Sequence, residues 1–202
     1  MSKNSSNSLG LFTRSVLATL LLFVSIYADA SPNELTDLLD RVAVLNIGRN
    51  GYILGKALTD AQKDTARRDS VEIENSNLSK FKDGGLYIVT EKTTDRVIIM
   101  YEQHDETSRK EIRELVGTLF LDFGEPTVFT HDKVIYWAWG QNGKFSSEAF
   151  KTSKKKQQPL NILVTVKLNS SLKIMGVKED KELGSVYYIV SSDPVLKLIQ
   201  SR

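Results

Sequence analysis

The chain is 202 residues long, with 27 lysines and arginines against 25 aspartates and glutamates, two histidines and no cysteine. Such a balance of charge excludes bulk attraction to nucleic acid or to a membrane surface. The missing cysteine excludes disulfides and leaves no thiol for lipid attachment, so stability has to come from an ordinary core.

The first thirty residues read differently from the rest. Lys3 and Arg14 form a positive n-region, Val16 to Tyr27 is an uncharged apolar run, and Ala28-Asp29-Ala30 puts small residues where a signal peptidase inspects them. This is the pattern of a secretory signal peptide, residues 1–30, cut between Ala30 and Ser31. The alternative is a retained membrane anchor, but the run is shorter than the roughly 20 residues a spanning helix needs. No transmembrane segment is expected after cleavage. Removing Lys3, Arg14 and Asp29 leaves 25 basic and 24 acidic groups. A cysteine-free exported chain points to a bacterial periplasm, or to secretion. Residues 31–202 are long enough for one exported domain, with 31–105 and 106–202 as candidate halves.

Ser31-Pro32-Asn33-Glu34 combines an N-cap, a first-turn proline and a capping-box glutamate, and Leu35, Leu38, Leu39, Val42 and Leu45 follow at helical spacing; a helix is expected here, closed by Gly48 and Asn50-Gly51. Thr59 to Arg68 suggests a second, exposed helix. Residues 69–85 are polar, end in Asp83-Gly84-Gly85 and read as a connecting segment. Leu86–Thr90 and Arg96–Gln103 flank "EKTTD" as a hairpin. From Ser108 the period changes: Ile112, Leu115, Val116, Leu119, Phe120 and Phe123 form a helical stripe with a Ser108/Glu111 capping box, stopped by Gly124 and Pro126. The remainder reads as strands: Val128–Thr130 and Val134–Trp139 around "HDK", Leu160–Leu168 and Leu172–Val177 around "NSS", and Val186–Val190. A short helix from Asp193-Pro194 would bury Val195, Leu198 and Ile199. Blocks of helices and hairpins without βαβ alternation predict an α+β fold, an antiparallel sheet with helices on one face.

Two segments, "LGKALTDAQ" (Leu54–Gln62) and "LDFGEPTVF" (Leu121–Phe129), resemble the opening and helix-ending pieces of the SmpA/OmlA-like outer-membrane assembly lipoproteins and of the β-lactamase-inhibitor-protein-like repeats. The resemblance implies two helix-plus-β-meander units in tandem and a non-enzymatic periplasmic binding module. The lipoproteins of that family carry a cysteine at the mature N-terminus, which this chain lacks, so no anchor is implied. The matching positions are structural glycines and prolines, and no functional residue is carried over.

Every histidine mechanism would have to use His104 or His131. "HDE", His104–Glu106, reads as a polar loop before a helix start, against the alternative of a weak metal site; His131 with Asp132 reads as a solvated turn. Nucleophile elbows, phosphate loops, zinc-protease helices and dinucleotide fingerprints do not occur. Glu102, Asp105, Asp122 and Glu125 flank the central helix and are the carboxylates a small hydrolase would draw on. Lys151, Lys154, Lys155 and Lys156 form the one local charge excess, read as a loop between strands that either is simply solvated or meets an anionic partner. In "VIYWAWG", Trp137 and Trp139 share one strand face and Tyr136 takes the other, so the indoles either fill a core under the Ser108–Phe123 helix or form an open platform. The sequence therefore predicts a binding protein of the cell envelope, meeting an envelope protein or an anionic envelope polymer through Tyr136, Trp137, Trp139 and the lysines. No catalytic residue, metal or cofactor is expected; the alternative is a carboxylate-dependent hydrolase of envelope polymers.

Overall fold

The structure is a computed structural model describing residues 32–74, 77–175 and 182–201. The expected signal segment and its junction with Ser31 lie outside them. Helix α1 (Pro32–Val44) buries Leu35, Leu39 and Val42 as its stripe predicts. Strands β1 (Gly48–Arg49) and β2 (Tyr52–Ile53) form a small hairpin. Its turn is Asn50-Gly51, at φ of 51° and 81°, the left-handed pair that Asn-Gly supplies. Helix α2 (Asp60–Arg68) is capped by a reciprocal Thr59/Gln62 box and buries no side chain.

The segment expected as a connection after α2 is largely strand. β3 (Ser70–Val71) and β4 (Leu78–Asp83) lead into β5 (Leu86–Glu91) over Gly84-Gly85. β4 escapes a pattern search because only Phe81 of its six residues is fully buried. β6 (Arg96–Ser108) is longer than its apolar run and carries the sheet to the cap of α3 (Arg109–Phe123). His104–Glu106 therefore lies within the strand rather than in a loop: His104 pairs with Val186 of the facing β11, and the register shifts over Asp105 and Glu106, where Glu106 takes φ 52°. Ser108 and Glu111 make the expected capping box, and Gly124 ends α3 at φ 67°.

β7 (Val128–Thr130) and β8 (Val134–Gly140) form the expected hairpin, and β9 (Gly143–Lys144) adds to β8. The lysine group sits on a helix, not in a loop: α4 (Ser147–Lys156) is capped by Ser146 and closed by Gln157 at φ 54°. β10 (Val164–Ser170) pairs with β8 on one side and β11 (Leu183–Ser191) on the other. With both edges of β10 occupied, the strand expected from Leu172 to Val177 has nowhere to pair. Leu172 and Ile174 are instead buried, the Ile174 N–H donating to the Asp132 carbonyl at 2.8 Å; Gly176 and Val177 lie outside the described residues. α5 (Asp193–Gln200) buries Val195 and Ile199 and packs beside α1, with Leu198 half-buried.

All pairings are antiparallel, and the main sheet runs β3-β4-β5-β6-β11-β10-β8-β7. This is the expected α+β class. The register separates two faces. One buried row crosses six strands, Phe81, Ile88, Met100, Val190, Val166 and Trp137; it packs in one core with the stripes of α1, α3 and α5.

Candidate functional site

The tryptophans belong to that core. Trp137 is 0% exposed and Trp139 6%, with Phe123 against both rings and Phe120 edge-on to Trp137 at 5.7 Å. The Trp137 Nε1 donates to the Gly124 carbonyl at 2.7 Å, giving the indole the partner a buried N–H needs. The open platform expected as one alternative for Trp137 and Trp139 is thereby overturned, since α3 lies over that face. Tyr136 points the other way and stays half-buried. Burial, and then the charge of Asp193, raise its hydroxyl pKa above the ordinary tyrosine value.

Around Tyr136 lies a surface that a search for local aromatic clusters misses. The register aligns Lys82, Tyr87, Tyr101, Ile189, Lys167, Tyr136 and Val128 across seven strands, and none of them is buried. Six inter-strand steps of ~4.8 Å make this row about 29 Å wide. Tyr87 and Tyr101 stack at 4.9 Å and 11°. The Lys80 ammonium lies 5.1 Å from the centre of the Tyr87 ring and 5.6 Å from that of Tyr101; Lys82 lies 5.0 Å from the Tyr87 ring on its own account. Two stiff rings fixed by stacking and cations have little rotamer entropy left to lose. The signal was present in sequence as alternation, Tyr87 against Ile88 and Tyr101 against Met100, but the row exists only once distant strands are in register.

On the inner face one charge interrupts the apolar rows. Glu102, 8% exposed, stands beside Tyr188 at the end of a cross-strand row that continues through Leu168 to Ile135. Its Oε1 accepts from the Tyr188 hydroxyl at 2.6 Å and its Oε2 lies 3.1 Å from His104 Nε2. The same hydroxyl accepts from Arg49 Nε at 3.1 Å, and Arg49 pairs with Asp122 at the end of α3. Burial first, and then Glu102, push the Tyr188 pKa well above its ordinary value, so the hydroxyl stays a donor. The chain Asp122–Arg49–Tyr188–Glu102–His104 connects a cleft of about 350 Å³ beside the β1–β2 turn with one of about 440 Å³ beside the start of α3. Sequence reasoning named Glu102, Asp122 and His104 but not Arg49, which reaches Asp122 from 73 positions away along the chain, or Tyr188, which reaches Glu102 from 86.

Both Glu102 oxygens have partners, in Tyr188 and His104, and Asp122 pairs with Arg49. His104 and Glu102 gather no metal set: no group of three or more His, Asp or Glu among the described residues could hold an ion. His131 sits in the β7–β8 turn at φ 54°, as expected. Lys151, Lys154, Lys155 and Lys156 are all exposed at the end of α4. No helix among the described residues is long and apolar enough to cross a membrane.

No family model, curated protein or solved structure matches the chain. Of the two segments that resemble the lipoprotein and inhibitor repeats, Leu54–Gln62 leads into α2 and Leu121–Phe129 ends α3 and opens β7.

Proposed function

We propose that the protein is a non-enzymatic binding protein of the cell envelope, and that it meets a protein partner through the outer face of its sheet. The observation that carries this reading is the row from Lys82 to Val128, with the stacked Tyr87 and Tyr101 under Lys80 and Lys82. Tyrosines held rigid beside cations are the side chains that dominate interface energetics. Export to the periplasm rests on the leader pattern of residues 1–30. The hydrolase alternative is the weaker reading, because two of the four carboxylates named for it, Glu102 and Asp122, are tied to Tyr188, His104 and Arg49.

A photo-reactive phenylalanine analogue at Tyr101, introduced in the producing cell, tests the reading. The expected result is a discrete covalent adduct with one envelope protein. It should be lost when Lys82 and Lys167 are both changed to Glu, and absent when the analogue replaces Asp64 on the exposed α2. Adducts of equal yield at Tyr101 and Asp64, or none at Tyr101, would sink the proposal.

A further inference from the structure

Helix α4, like α2, buries none of its residues, although Ser146 caps its start and Ser153 and Gln157 tie down its end. Its half-buried residues are Ser147, Ala149, Phe150 and Ser153. Lys151, Lys154 and Lys155, at i, i+3 and i+4, lie together, and Lys156 follows them. Against four lysines the helix carries one carboxylate, Glu148. None of the four ammonium groups has a hydrogen bond or ion pair among the described residues. Like charges one turn apart repel and weaken a helix. Their placement in the last turn recovers part of that through the helix dipole.

These lysines form no pocket and no fixed fork. Long flexible stems without partners recognise charge density rather than the shape of one ligand, which suits a surface of many anions better than a single acidic peptide. We propose that the end of α4 docks the protein onto an anionic lipid surface. This contact is separate from the protein-binding sheet face and does not depend on it. The lysines lie flat on the headgroup layer, where each strengthens partitioning roughly fivefold, and phosphate oxygens of neighbouring lipids replace the water around them. The contact is screened as salt rises, because the groups stay within reach of bulk ions.

The test is sedimentation of the full chain with vesicles of phosphatidylcholine alone and of phosphatidylcholine containing phosphatidylglycerol. The apolar residues 16–27 are present in every sample, so the preference for anionic over neutral vesicles is the readout. The chain with Lys151, Lys154, Lys155 and Lys156 all changed to Gln should lose most of that preference, a drop of roughly 600-fold if the four fivefold effects multiply. A chain with the exposed Lys56, Lys92, Lys110 and Lys197 changed to Gln removes the same charge elsewhere, and it should keep the preference. Raising salt to half-molar should abolish the wild-type preference. Equal losses in the two variants would show bulk charge rather than docking by α4, and an unchanged preference in the α4 variant would overturn the proposal outright. Because all eight lysines are exposed, both variants should melt like the wild type.

Discussion

Changing Tyr188 to Phe removes one oxygen from the middle of the buried polar chain and leaves the ring in place. The side chain is fully buried, so there is no cavity and no change of apolar area to confuse the result. What is lost is the donor to Glu102 at 2.6 Å and the acceptor for Arg49 at 3.1 Å. Hydrogen bonds to charged groups contribute roughly 1.5–3 kcal/mol each, and a buried carboxylate oxygen left without a donor bears its full desolvation cost. Arg49 keeps Asp122, so most of the penalty falls on Glu102. The expected destabilisation is about 3 kcal/mol, a fall in Tm of about 6–12 °C for a domain of this size. The assay is urea and thermal unfolding followed by circular dichroism, with Glu102→Leu and the double variant alongside. Removing both partners of a buried polar pair costs less than orphaning one, so Glu102→Leu with Tyr188→Phe should be no less stable than Tyr188→Phe alone. A single-variant cost under about 1 kcal/mol, or a double variant whose cost is the sum of the singles, would refute the reasoning.

Two further outcomes follow from groups already described. Tyr188 has its native pKa raised above the 10.0 of an ordinary tyrosine, so its contribution is complete below pH 10 and is lost as pH climbs above it. There the unfolded chain releases a proton that the native hydroxyl retains, and stability falls by up to about 1.4 kcal/mol per pH unit. Between pH 10 and 11.5 the wild type should lose stability faster than Tyr188→Phe in urea unfolding; parallel pH profiles would contradict the assignment. Gly51 and Gly55 share φ values of 81° and 82°, but a Cβ on Gly51 meets nothing within 4 Å while one on Gly55 would lie 2.5 Å from the Leu39 carbonyl oxygen of α1. Gly51→Ala should cost about 1 kcal/mol for conformation alone and Gly55→Ala at least about 3 kcal/mol, and equal costs would mean that α1 does not press on this loop.

The elements legible in the sequence are those whose local chemistry agrees with their surroundings. α1, α3 and α5 announce themselves by caps and apolar stripes, and β5, β8 and β11 by β-branched and aromatic runs. β4 and α4 were unreadable for one shared physical reason: each turns most of its side chains to the outside, so neither carries an apolar period. The strand expected after Leu172 was a plausible run that lost its partner to β11, a competition decided by tertiary pairing. The site followed the same division. Tyr136 was visible as an outward residue of its strand. The lysine and tyrosine row it belongs to depends on seven strands in register, and the Arg49–Tyr188–Glu102 chain depends on β1, β11 and β6 meeting. No local spacing encodes either.

The pairing of β6 with β11 fixes the order in which the molecule can be completed. Leu183 pairs with Ser108 and Ser191 with Ile99, so the central seam of the sheet closes chain loops of 75 to 92 residues (183 minus 108, and 191 minus 99). Until the last strand arrives, nothing occupies the β6 edge. Closing such loops is entropically expensive and slow compared with making the local hairpins. During that interval β6 offers the stretch from Ile99 to Ser108 along an open edge, the kind of edge other chains add to. A chain halted before Leu183 would expose the long β6 and β10, whereas the finished protein ends its sheet in two short strands, β3 and β7.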